Sequence, residues 1–308
     1  MPDMKDAEGS GYTGAVERLN LQPFVDELAH QGLTIVPPEV TGVTDDLIDR
    51  CVEVLLDQFE QQTGARISLE AGPLDPLEWP VAGGRAQFSE KGAEPSQTLL
   101  QQLLKFDRCF RDLAVNPVVD AIVDQMIGAG SRDRKPARRL SSANSFIKWR
   151  GDFGYGPGLG LHCDQGANPL PWSETALTAN ATWALTDYTK EGGALAYVPG
   201  SHKFNANPEP GQGTAEAIAA EAPRGSAIIF PGSTWHGAFH KQTDGLRLCA
   251  ISYYRHASVL PQENMSVSMA DQPWDDCDDP ELMRELIGFD DGFPYLEQSF
   301  ALPRRAAS

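Results

Sequence analysis

The sequence predicts a mostly β protein, a sandwich or barrel of short strands with added helices, the helices lying mainly in the N-terminal half. Two observations carry this. From about Arg139 to His256 the chain is a succession of short apolar, β-branched or aromatic runs punctuated by Gly and Pro, the pattern of strands joined by tight turns. Before it, long stretches place apolar residues at i, i+3, i+4 and i+7, the helical period. No internal repeat and no Gly/Ser-rich linker divides the 308 residues, so the expected organisation is one domain over 1–308.

Taken in order, residues 1–20 are polar and read as flexible, and 21–138 as mainly helical. "FVDELAHQGLTIVPP" (Phe24 to Pro38) reads as a helix, a Gly stop and a strand. In "TDDLIDRCVEVLLDQFEQQTG", Leu47, Ile48, Cys51, Val52, Val54, Leu55 and Phe59 keep helical spacing, with Thr44 as N-cap and Gly64 as stop. Pro95 to Gly130 reads as two helices broken near Asn116-Pro117. The β core is expected over 139–260, with strands in Ala176–Tyr188, Gly193–His202, Gly225–Phe239 and Leu246–His256. The segment 261–308 holds an acidic run, Asp271 to Gly292, with one short capped helix.

Composition narrows the class. A hydrophobic fraction of 41% with 22% charge suits a soluble globular chain. A formal net charge of -18 repels polyanions, so no nucleic-acid partner is expected. The basic cluster "RDRKPARR" (Arg132 to Arg139) breaks the trend and reads as a solvated loop, or else a site for an anion. Five cysteines without CxxC spacing argue against a disulfide framework or structural zinc and for a reduced, cytoplasmic setting. The N-terminus lacks the apolar core of a signal peptide, and no apolar run approaches the roughly 20 residues of a membrane span. Nothing in the sequence reads on oligomeric state.

The chemistry concentrates in "GLHCDQGANPLPW" (Gly160 to Trp172). On a strand, His162 and Asp164 share one face and Cys163 faces the other way. The pair is either two ligands of one metal or a polar patch. His236, in "FPGSTWHGAF", completes a 2-His-1-carboxylate set, which binds Fe(II) on one face and leaves positions open for a bidentate co-substrate and dioxygen. Arg247, on the next run, offers an always-charged fork for a carboxylate. An HxD pair alone recurs by chance; HxD, a distant His and a following Arg, all on short strands, is far more specific. His240, four residues after His236, matches a zinc-helix spacing, but on a strand it would not converge and reads as a non-ligand. Gly192-Gly193 lacks GxGxxG and a following helix, so it is a hairpin rather than a dinucleotide motif.

"LHCD", "ANATWALTDYTKEGGALAYVPGSHK", "GSAIIFPGSTWHGA" and "DGLRLCAISYYR" together resemble the phytanoyl-CoA hydroxylase-like (PhyH) family of Fe(II)- and 2-oxoglutarate-dependent dioxygenases. The resemblance is close over about 140–256 and looser before it. It implies a double-stranded β-helix (jelly-roll, cupin-like) core with helices outside. It further implies Fe(II) on His162, Asp164 and His236, and Arg247 on the distal carboxylate of 2-oxoglutarate. O2 is then the second co-substrate, a small molecule is hydroxylated, and succinate and CO2 are released. Asn180, then Thr182, are the expected polar co-substrate contacts; their structural reading is a cross-strand polar pair. Ala238 departs from relatives that carry Ser or Thr there to hold 2-oxoglutarate; Asn180 or Ser252 are the candidates to replace it. Lys148 and Arg150 either reach a substrate or co-substrate carboxylate or form surface ion pairs. Trp172, in the loop after HxD, is the expected substrate-lining aromatic. Asp164 itself argues against halogenation, which in this class needs a small residue there.

Desaturation, epoxidation and rearrangement use the same oxidant and are not distinguished by the sequence. Two rivals remain at this level. A cupin-type metalloenzyme without 2-oxoglutarate has no need of Arg247. A jelly-roll binding module gains nothing from three converging iron ligands.

Overall fold

The computed structural model describes residues 14–77, 96–128, 137–151, 159–172, 175–289 and 291. Its N-terminal part runs α1 (Ala15–Arg18), α2 (Gln22–Gln31), β1 (Thr34–Val36), α3 (Pro38–Thr41), α4 (Asp45–Thr63), the short pair β2 (Ile67–Ser68) and β3 (Gly72–Pro73), and β4 (Gln97–Gln101). α5 (Arg108–Ala114) and α6 (Pro117–Ile127) follow. The helix signals read from the sequence hold. The Thr44 side chain accepts from Leu47 N, and left-handed Gly64 ends α4. Asn116 accepts from Val118 N and Val119 N ahead of Pro117.

The remaining strands are β5 (Arg138–Lys148), β6 (Thr178–Ala184), β7 (Leu195–Tyr197), β8 (Ile218–Ala219), β9 (Ala227–Pro231), β10 (His236–Ala238) and β11 (Cys249–His256), before α7 (Met265–Ser268) and α8 (Pro280–Ile287). They form a six-stranded antiparallel sheet ordered β1-β9-β6-β11-β5-β4 and a smaller sheet ordered β10-β7-β8. Alternation sorts the large sheet into two faces. Ala143, Ile147, Ala179, Ala181, Trp183, Ile229 and Ala250 share one core with the apolar faces of α4, α5 and α6. The small side chains let α6 lie close to the sheet. The opposite face, with Ala184, Ile228, Phe230 and Cys249, packs on Tyr188, Ala194 and Tyr197 from the smaller sheet and its connections. This inner face is the interior in which the site lies.

Three expectations change. Residues 14–20, expected to be flexible, include α1, whose Val16 is buried in the main core; residues 1–13 lie outside the described residues. Gln97–Gln101, expected to be helical, is the edge strand β4, paired with β5. "TLLQQLL" fits either period because both faces of this edge are covered: Thr98, Leu99 and Leu100 are all buried. The N-terminal half therefore supplies both edge strands of the large sheet, β1 and β4, as well as helices. Asp164 is not within a regular strand; it opens a 3-10 turn, Asp164–Ala167, and only His162 bridges.

Buried Arg138 ties β5 to α6 and α8, pairing with Asp120 at 2.5 and 2.8 Å and with Glu285 at 2.8 Å. Arg139 bonds Asp291 at 2.8 Å. These two arginines of the basic cluster serve the scaffold, and 132–136 lie outside the described residues. Among the described residues, no helix is long and apolar enough to cross a membrane.

Candidate metal centre

His162 and His236 face each other across a backbone bridge, each N–H donating to the other's carbonyl, at 2.9 and 3.0 Å. Their rings lie 4.3 Å apart. The bridge adds the His162 segment to the free edge of β10. It needs Gly237: a Cβ there would meet the Leu159 carbonyl oxygen at 2.1 Å. Cys163 is extended, with φ -114° and ψ 130°, so His162 and Asp164 do project to the same side. Cys163 faces the other way and packs with Trp172, Val198 and Trp235.

The three side chains converge. His162 Nε2 lies 3.6 Å from Asp164 Oδ1 and His236 Nε2 lies 3.7 Å from Asp164 Oδ2. Among the described residues this is the group of three His, Cys, Asp or Glu side chains able to hold a metal, with ligand atoms within 4.8 Å of one another. Metal–ligand bonds of about 2.0–2.2 Å span such separations, so the residues fit an ion. Both Nδ1 atoms are tied back, His162 to Gly160 O at 2.8 Å and His236 to Thr234 O at 3.0 Å. That fixes the proton on Nδ1 and turns both Nε2 lone pairs toward the carboxylate, as metal-binding histidines are held by a backbone carbonyl on their other nitrogen. The His162 side chain is 51% exposed and that of His236 9%, so the centre opens on the His162 side.

The charges suit a cation. Burial alone would raise the Asp164 pKa, but His236, His162 and Asn180 pull it down to about 2. His236 is pushed down to about 4, by burial first and despite Asp164, so it is a neutral donor at pH 7. Burial also lowers His162, and Asp164 more than offsets it, leaving its pKa raised.

The sequence-predicted partners fall in distinct places. Asn180 donates to Asp164 Oδ2 at 3.4 Å, and the Thr182 hydroxyl donates to Asn180 Oδ1 at 2.8 Å. Arg247 is buried on the inner face, donating to the Tyr188 hydroxyl at 2.9 Å. Lys148 is also buried and exchanges backbone bonds with Arg247 at 3.0 and 2.8 Å, so the two cations leave adjacent strands on one face. Its Nζ donates to Phe239 O at 2.8 Å. Burial, then Arg247 and Lys241, push its pKa down to about 7. Arg150 is exposed and paired with Asp244 at 3.0 Å. Trp172 donates to Asn168 O at 3.1 Å and packs in one cluster with Cys163, Val198 and Trp235. His240 is outside the cluster. Sequence reading missed Tyr253, whose hydroxyl donates to Asp164 O at 3.3 Å, and Tyr188. Tyr253 shares strand parity with Ile251 and Cys249, a signal that was readable; Tyr188 lies in a connection with none.

A model of the phytanoyl-CoA dioxygenase (PhyH) family matches residues 54–249. Curated relatives include Dioxygenase af480 of Aspergillus fumigatus, 27% identical over 178 residues, or 57% of this chain and 54% of that protein. Dioxygenase ALT11 of Alternaria alternata is 31% identical over 161 residues, 50% and 51% of the two chains. The chain thus spans about half the length of the curated relatives it matches. Among solved structures, the epimerase SnoN in complex with Fe3+, alpha ketoglutarate and nogalamycin RO aligns with a TM-score of 0.53 at 17% identity, over 80% of this chain and 88% of that one. HygX from Streptomyces hygroscopicus, with nickel and 2-oxoglutarate bound, aligns with 0.52 at 14% identity, over 78% and 89%. These likenesses carry the cupin-like fold.

Proposed function

The chain belongs to the phytanoyl-CoA dioxygenase (PhyH) family, and from that premise we propose that it is an Fe(II)- and 2-oxoglutarate-dependent dioxygenase that hydroxylates an unactivated C–H bond of a small molecule. The observation that carries the reading is the convergence of His162, Asp164 and His236 on one point, with both Nδ1 atoms held by backbone carbonyls. Fe(II) held there would, with 2-oxoglutarate and O2, supply the oxidation of the C–H bond, with succinate and CO2 as co-products.

The chain's own residues do the holding. Thr182 orients the Asn180 amide, and Asn180 with Tyr253 fixes the Asp164 turn. These contacts support a positioning role for Asn180 and Thr182 beside the co-substrate role expected from sequence. The Phe230 ring lies 4.7 Å from that of His236, tilted by 55°, and covers its buried side. Arg247, oriented by Tyr188, is the fork for the distal carboxylate of 2-oxoglutarate, and Lys148 is the second cation beside it. Asp164 fills the third protein position, which favours oxygen delivery over halogenation.

Anaerobic addition of Fe(II) and 2-oxoglutarate to the metal-free protein tests the reading. A weak visible charge-transfer band is expected, absent in His236→Ala. No band in the wild-type protein at saturating 2-oxoglutarate would overturn it.

A further inference from the structure

We propose that Asn144 on β5 selects the molecule to be oxidised, by pairing with a hydroxyl group on an otherwise apolar, uncharged substrate. The proposal rests on the oxygenase reading above and names the substrate class of that same site.

Strand parity puts Ser142, Asn144, Phe146 and Lys148 on one face of β5. Register puts that face in the interior: Ser142 lies opposite Tyr253 and Asn144 opposite Ile251, and these in turn lie opposite Asn180 and Thr182. Tyr253 and Asn180 both touch Asp164. Neighbouring strands are about 4.8 Å apart, so Asn144 stands two strands, about 10 Å, from the Asn180–Thr182 strand beside the metal ligands. A medium-sized molecule with one carbon at the centre reaches it.

Exposure marks where the interior opens on this face. Asn144, Phe146 and Ile251 are half-buried, while Ser142, Lys148, Tyr253 and Thr182 around them are buried. The open patch is therefore the Asn144 carboxamide between a phenyl ring and a butyl chain, with the exposed, solvated amide of Gln101 opposite it on β4. Glu263, from the segment that packs on β5 after β11, is turned away, accepting from Gln102 N at 3.1 Å and Ala143 N at 3.4 Å. The cations on this face, Lys148 and Arg247, are buried together at its far end, and the patch itself carries no charged side chain.

The carboxamide is held but not used up. Asn144 Nδ2 donates to Ser142 Oγ at 3.3 Å, and the Ser142 hydroxyl donates to Gln262 Oε1 at 2.8 Å. Gln262 is fixed in turn, its N–H donating to Ser141 Oγ at 3.0 Å. This relay takes one of the two amide hydrogens and leaves Asn144 Oδ1 buried without a partner. A buried carbonyl without a hydrogen bond is costly and calls for an occupant. The last torsion of Asn is soft, so the carbonyl can turn to meet a ligand. A hydroxyl, which gives a proton to Oδ1 and can accept from the second N–H, matches what is left over.

The test uses matched pairs: 1-adamantanol, 2-decalol and a 3-hydroxysteroid, each beside its O-methyl ether, which cannot donate. The readout is succinate released above the compound-free rate by the Fe(II)-loaded protein. In the wild type at least one alcohol should stimulate about ten-fold more than its ether. Asn144→Leu, with Asn144→Ala as the smaller replacement, should bring the pair within about two-fold. Asn144→Asp keeps an accepting oxygen and should keep the bias. The proposal is overturned if no alcohol outperforms its ether in the wild type, inactivity of both included, or if Asn144→Leu and Asn144→Ala retain the bias. The charge-transfer band with Fe(II) and 2-oxoglutarate separates the two failures: band present with no bias sinks the Asn144 assignment alone, band absent sinks the oxygenase reading first.

Discussion

His162 and His236 are joined through their own backbones, each N–H bonded to the other's carbonyl, so the two ligand segments are held as one unit. Gly237 makes the joint possible, since a methyl group on it would strike the Leu159 carbonyl. Gly237→Ala should therefore push the His162 segment off β10 and spread the ligand atoms. Iron affinity should fall about 10–100-fold, the range seen when groups supporting metal ligands are removed. The melting temperature of the metal-free protein should change little by comparison, because the large sheet is untouched. Equal iron affinity in wild type and Gly237→Ala, measured by competition with a chelator, would refute the joint.

Each metal ligand predicts its own loss. His162→Ala, Asp164→Ala and His236→Ala each remove one of three donors and should reduce bound iron per chain and abolish turnover. His240→Ala is the control, since His240 lies outside the cluster and should keep iron. Metal analysis of the purified variants checks this, and iron lost from His240→Ala but kept by His236→Ala would reverse the assignment.

A scaffold carboxylate gives a pH prediction. Burial raises the Asp124 pKa to about 6, with Arg138 opposing and Asp120 and Glu285 adding to the rise. Unfolded, an Asp titrates near 3.9. Between about pH 4 and 6 the folded state holds more protons than the unfolded one, so this residue's contribution to stability falls as pH rises through that window. By pH 7 the deficit is at most about 3 kcal/mol, from 1.36 kcal/mol per pKa unit. Asp124→Asn should raise the melting temperature at pH 7, and the gain should vanish at pH 4. A variant no more stable than wild type at pH 7 would show that Arg138 compensates the charge fully.

Much of this was legible in the sequence. Between Arg138 and His256 the period-2 runs, broken by Gly and Pro, gave strands close to those observed, because one face of each packs on helices and the other on the interior. β4 was not legible: Leu99, Leu100, Leu103 and Leu104 suit a helix as well as a doubly covered strand, and only pairing with β5 decides. At the site, parity placed His162 with Asp164 and turned Cys163 away. It did not reveal that Asp164 begins a turn, or that Lys148 is buried, since a lysine ending a strand ordinarily snorkels to water. Asn144 was not legible either, because a single Asn in "SSANSF" looks like any polar strand residue until its register with Ile251 is known.

Lys148 carries the last prediction. In the free protein it lies buried beside Arg247 and Lys241, with its pKa pushed down to about 7. At pH 8 about nine-tenths of it is then neutral. A carboxylate of 2-oxoglutarate placed between Lys148 and Arg247 favours the ammonium form and draws the pKa back toward its ordinary 10.4. Binding at pH 8 should therefore take up close to one proton, and binding at pH 6, where Lys148 is already charged, almost none. 2-Oxoglutarate affinity should accordingly weaken as pH rises above about 7, in a protein kept anaerobic and loaded with Fe(II). Calorimetry in two buffers of different ionisation enthalpy measures the uptake directly. Lys148→Met should abolish the uptake at pH 8 and weaken binding, while Arg247→Lys should weaken binding by loss of the fork and leave the uptake in place. Proton uptake that is the same at pH 6 and pH 8, or that survives in Lys148→Met, would assign it to another group and remove Lys148 from the co-substrate site.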